Sequence, residues 1–211
     1  MIEIDTRLRA AGGVAKTETE GAVIAFETLK RRGHPDGPPP LASDGWGGHR
    51  DALIEVWGQV PAYSGRGRPP THKQPGEDWQ YLQLVKQREG GRVMGIEVRV
   101  IYGDPATVPE AVGANTAYVE RTHLTLRQQN GRLGRKTLGF SKDVAMLRAA
   151  CTWEDAVYNL THPVKTLRRE INQGRRRWQP QTPMMAAGLT DHVWTVHELL
   201  TTLPVPHAIN T

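Results

Sequence analysis

Residues 79–103, WQYLQLVKQREGGRVMGIEVRVIYG, read as two strands joined at Glu-Gly-Gly. Paired glycines supply the backbone freedom that a tight hairpin needs, and the flanking runs suit pleated strands. Working upstream, residues 64–78, SGRGRPPTHKQPGED, form a Pro/Gly-rich basic loop. Before it, GGHRDALIEVWG predicts a helix carrying Leu53, Ile54 and Trp57, and LASD predicts a short strand. HPDGPPP is a connector. TETEGAVIAFETLKRRG predicts a helix capped by Thr17, with Glu20 three residues on. Residues 2–16 read as a short strand, a turn and a longer strand, with patchy alternation. Downstream, a helix runs from about Asn115 to Asn130, closed by Gly131 and Gly134, and a second occupies 141–160 with Ser141 as its cap. The last fifty residues are basic and Pro-containing, and predict a less compact segment with one short helix at 194–201. This order describes an α/β domain with a mixed sheet and helices against its faces.

The chain has 211 residues, 38% of them hydrophobic, with mean hydropathy −0.52. It is long enough for one sizeable core. No apolar run is long enough for a membrane span, and MIEIDTRLRA has no apolar signal core, so a cytoplasmic location is the expectation. A single cysteine, Cys151, excludes an internal disulfide framework and a cysteine-based structural zinc site, and reads as a small buried side chain. Net charge is +5, unevenly spread: residues 121–177 hold 13 Lys and Arg against 4 Asp and Glu. Such a block suits a polyanionic partner, nucleic acid first, or a solvated helical face; charge alone does not choose.

One acid heads that block, in 116-TAYVERTHLTLRQQNGRLGRKTLGF-140. At 100° per residue, Glu120, His123 and Arg127 fall within roughly 60° of one another. Val119, Leu126 and Leu133 recur beside that flank and would dock the helix onto the body. The cations past Glu120, namely Arg121, Arg127, Arg132, Arg135 and Lys136, together with His123, are the candidate DNA contacts. Two further acids close strands: Asp5 in IEID, and Asp44 in LASD, followed by Gly45. Hard Mg²⁺ or Mn²⁺ ions take oxygen ligands, and a pair of them roughly 4 Å apart assists phosphoryl transfer. Asp5, Asp44 and Glu120 are the candidate metal ligands. By pattern alone, Asp5 and Asp44 are equally strand-end or turn acids, Glu120 an acid favoured by the helix dipole, and His123 an ordinary surface histidine. Asp36 and Asp104 sit in comparable loops. Trp46 and Trp57 read as core residues. Arg66, Arg68 and Lys73 in the basic loop read as backbone contacts to DNA or as a surface insert.

SDGWGGHRDAL, TAYVERTHLTLRQQNGRLGRKTLGFSK, YNLTHPVKTLR and TPMMAAGLTDHVWTVHELL resemble bacterial insertion-sequence transposases with an Asp-Asp-Glu catalytic domain, of the insertion-sequence-one type. The resemblance runs from Ile4 to about Leu203. It implies a ribonuclease-H-like domain, residues 1–170, that cleaves and joins DNA with two Mg²⁺ or Mn²⁺ ions. On this resemblance Asp5, Asp44 and Glu120 are the catalytic acids, and Arg127 the basic position of the last helix. The loop and hairpin at about 63–103 stand as an insertion, and 171–211 as a basic C-terminal extension. The partners implied are double-stranded DNA, as terminal inverted repeats and target, and further copies of the chain on that DNA, within the bacterial nucleoid. Two departures bear on this. Met1 stands four residues before Asp5, so the N-terminal DNA-binding region of full-length relatives is expected to be missing. In YNLTHPVKTLR, His162 and Val164 replace the family's arginine and histidine. The alternatives are a truncated, inactive DNA-binding remnant, and a host nuclease or resolvase on the same fold.

Overall fold

A computed structural model describes residues 1–65, 67–113, 117–134, 138–173 and 176–202, and of residues 172, 173 and 176 the backbone alone. The elements in chain order are α1 (Glu18–Arg31), β1 (Leu41–Asp44), α2 (Gly48–Trp57), β2 (Tyr81–Glu89), β3 (Arg92–Tyr102), α3 (Val108–Val112), α4 (Ala117–Gln129) and α5 (Val144–Thr161). They are followed by β4 (Arg169–Gln173), β5 (Arg176–Gln179), α6 (Pro183–Ala186) and α7 (Val196–Thr202). The protein is α/β: its main sheet is mixed, in the order β1-β2-β3, with helices on both faces. β1 runs parallel to β2, and β3 returns antiparallel.

β2 decides the layering. Its first four residues, Tyr81 to Leu84, are all buried, so the strand is covered on both faces. Tyr81 belongs to the cluster of Phe26, Leu29, Ala52, Leu53, Trp57 and Trp79, where α1 and α2 pack on one face. Leu82 and Leu84 point the other way, onto Val108 and Val112 of α3. Each large apolar side chain so buried contributes about 1.5–3 kcal/mol before the entropy of ordering is set against it. The hairpin within residues 63–103, set apart as an insertion by the family resemblance, thus supplies two of the three strands.

Local chemistry explains most boundaries. Thr17 Oγ1 accepts from Glu20 N–H at 3.2 Å and starts α1. Glycines 90 and 91, with φ of 54° and 81°, make the β2–β3 turn. Three expectations are corrected. Residues 2–16 form no extended strands: a lone bridge joins Ile2 to Arg9, because the Glu3 carboxylate accepts from Asp5 and Thr6 N–H and reverses the chain within a few residues. The cap of α5 is Asp143, whose Oδ1 accepts from Ala145 and Met146 N–H, while the Ser141 hydroxyl donates to Asp143 C=O. Residues 171–202 also carry more order than a loose tail. β4 and β5 form a hairpin, Thr182, Pro183 and Leu199 are fully buried, and α6 and α7 pack against α5.

Trp57 is buried as expected, its indole N–H donating to His34 C=O at 2.8 Å, but Trp46 and Cys151 are half-buried. α4 and α5 bury none of their residues fully; Val119, Leu126 and Leu133 are half-covered. Among the described residues no helix is long and apolar enough to cross a membrane.

Candidate functional site

The last residue of β1 is Asp44, whose side chain is 71% exposed. Its Oδ1 accepts from Trp46 N–H at 3.2 Å, turning the chain into α2. Gly45 is required here: a Cβ would stand 2.9 Å from Val85 Cγ2 of β2. The turn is pinned from the sheet by Gln83, which donates to Trp46 C=O and to the Tyr81 hydroxyl. His49, the second residue of α2, lies with Nδ1 3.5 Å from Asp44 Oδ1, between the rings of Trp46 and Phe26. Burial lowers its pKa, against the opposing charge of Asp44.

Glu120 reaches the sheet from α4. Its carboxylate is ion-paired with Lys86 of β2. The register pairs Asp44 with Leu84, so Lys86 stands one strand over and two residues along, roughly 8 Å away by backbone. His123, the next residue on that helical flank, is exposed. Desolvation on its covered side lowers its pKa, the amino terminus, Arg127 and Arg9 add to this, and Asp44 opposes it. The field of Asp44 therefore reaches α4.

Asp5 is less engaged. It is exposed at the tip of the N-terminal turn, where Glu3 does the capping. The turn leans on α4 through Arg7, held at φ 60°, whose guanidinium lies 3.5 Å over the Tyr118 ring. Ile4 faces the end of α3 at Gly113. Asp44 thus closes β1, Glu120 is paired with Lys86 of β2, and Asp5 lies exposed on the N-terminal turn. Among the described residues no three His, Cys, Asp or Glu side chains are arranged around one point to hold a metal.

The cationic candidates divide. Arg121 and Arg127 are exposed on α4, and Arg132 is exposed on the 3-10 turn that follows. Arg135 and Lys136 lie outside the described residues, as does Arg66. Lys73 is engaged with Glu55 at 3.0 Å, and Arg68 is exposed.

Sequence reading missed a buried polar knot. Arg9 is 4% exposed, ion-paired with Asp155 at 3.1 Å and stacked over Tyr158 at 3.9 Å. Its backbone exchanges hydrogen bonds with the Asn159 amide, tying the N-terminal turn to α5. Burial raises the pKa of Asp155, with Arg9 opposing. Nothing in the local string TRLRAAGG names a partner 146 residues away. Cavities do not mark the site: a groove of about 500 Å³ follows Ala145, Ala149 and Trp153 of α5, and a smaller one lies at Arg168 and Trp178.

No protein-family model, curated protein or solved structure matches the chain.

Proposed function

We propose that the protein is the ribonuclease-H-like catalytic domain of an insertion-sequence DNA transposase, with Asp44 and Glu120 as the central acids and Asp5 completing the set. The observation that carries this reading is that Glu120 is ion-paired with Lys86 of β2, two residues beyond Leu84, the register partner of Asp44. Lys86 already gives Glu120 a cationic partner. Exposed carboxylates at the C-terminal end of a parallel strand are a common place for chemistry in α/β sheets.

The donor chemistry fits a hard divalent ion, all three candidates being carboxylates. Asp5, Asp44 and Glu120 would hold Mg²⁺ or Mn²⁺, which would supply charge neutralisation at a phosphodiester and acidify an attacking hydroxyl. The chain's own part is positioning. Asp44 is aimed by the Trp46 turn and Glu120 by Lys86, while Arg127 offers a cation, and His123 an imidazole, along the flank where a phosphate backbone would lie. The three acids do not surround one point, so they must be drawn together for the full set to act.

The test is cleavage of DNA carrying the element's ends in Mn²⁺ or Mg²⁺. Activity is expected in the unaltered chain and not in Asp44→Asn or Glu120→Gln; cleavage that survives both changes removes these residues from the chemistry. The Lys86–Glu120 pair also favours a second reading, a DNA-binding remnant whose acid is neutralised permanently. That reading gives salt-sensitive duplex binding and no cleavage by any variant.

A further inference from the structure

β3 is an edge strand of 11 residues, and among the described residues no strand pairs with its outer side. Its side chains are unusually apolar for such a position: Val93 is 49% exposed, Met94 66%, Ile96 59% and Val98 43%. Long open edges with apolar side chains are aggregation sites unless something covers them. Ile96 and Val98 share a face with Leu84 and Lys86, so the exposed patch continues from the covered base of the sheet.

The strand is complementary to itself. A two-fold axis normal to the sheet pairs residues placed symmetrically about one central residue. Centring on Glu97 sets two acids opposite each other, and centring on Arg99 sets two guanidiniums opposite. Centring on Ile96 or Gly95 leaves both charges facing neutral residues. Centring on Val98 alone sets each Glu97 opposite the other copy's Arg99, with Ile96 opposite Val100, all within the regular stretch between the irregularities at Met94 and Ile101. Within one chain Glu97 and Arg99 already meet at 2.7 Å, both side chains exposed, so the pair is preset for such a cluster.

We propose that β3 is a homodimer interface, two copies joining edge to edge in antiparallel register about Val98 to form one six-stranded sheet. This surface does not depend on the DNA reading. The symmetry puts both Lys86–Glu120 pairs on the same face of the joined sheet, about 20 Å apart from strand spacing and rise.

The mass of the full chain in solution, read over a range of concentrations, tests this. A dimer is expected for the wild type. Glu97→Arg or Arg99→Glu places like charges at both symmetric pairs and should weaken association about tenfold. The double swap should restore it. Register is read separately in a Cys151→Ser background: Val98→Cys should give a disulfide-linked dimer on mild oxidation, since opposed residues lie within bridging distance, and Val93→Cys should not. Should the charge variants fail to fold, the cysteine pair still decides. A monomer at every concentration, a dimer indifferent to either single swap, or equal linking at positions 93 and 98 would overturn the proposal. An indifferent dimer would point instead to the exposed α5 face.

Discussion

Lys86 and Glu120 meet with side chains 32% and 56% exposed. An ion pair in that setting contributes about 0.2–1 kcal/mol, so a divalent cation can displace the ammonium. Lys86→Ala is therefore expected to tighten Mn²⁺ binding with little change in thermal stability, and Glu120→Gln should abolish the gain. Calorimetric Mn²⁺ titration checks this; equal affinity with and without Lys86 would exclude Glu120 as a ligand. His49 carries a pH dependence of definite sign. Its folded pKa lies below the ordinary 6.5 because burial disfavours the cation. The unfolded chain then binds its proton first on acidification, so the stability from a neutral His49 is full above 6.5 and is lost as pH falls through the folded pKa. Urea unfolding from about pH 8 to about pH 5 should steepen in the wild type and flatten in His49→Gln. Asp44 and Glu120 were legible in the sequence as acids at element ends. The Lys86–Glu120 ion pair was not, because Lys86 lies on a strand that neither flanking segment contains.

Short-range signals predicted the elements well where the residues deciding them are neighbours. The Thr17 cap of α1, the LASD strand and the Glu-Gly-Gly hairpin are of this kind. Ser141 as the cap of α5 failed narrowly, since Asp143 sits two residues closer to the first helical turn and accepts from two N–H groups. Asp143→Ala is expected to cost about 1 kcal/mol in chemical unfolding, and Ser141→Ala less. The reversal of that order would restore Ser141. Strands at 2–16 failed for a different reason. A strand needs a neighbour, and this segment has only its own short return, with Arg9 drawn instead to Asp155. The tail misled in the opposite direction, because its polar composition hides a few well-buried residues. Leu199 is 0% exposed, and Leu199→Ala should cost about 2–5 kcal/mol, read from urea midpoints. A negligible change would return residues 181–202 to the status of an appendage.

Across the whole molecule, the uneven charge makes a long-range expectation. Arg127 is exposed on the flank that also carries Glu120 and His123. If duplex DNA lies along that flank, Arg127→Ala should lower the salt dependence of binding by about 0.9 in log–log slope, one phosphate contact. An unchanged slope in a fluorescence anisotropy series removes it from the interface. The chain's composition, helix caps, glycine turn and block of cations are properties of adjacent residues, and these the sequence determined by itself. Tertiary structure alone decided that β2 is central and covered on both faces, that Arg9 closes onto α5, and that Glu120 pairs with Lys86 while Asp5 lies exposed on the N-terminal turn. The physical reason is that burial, strand register and ion pairing are set by groups far apart along the chain, whose meeting costs entropy that only the folded core repays.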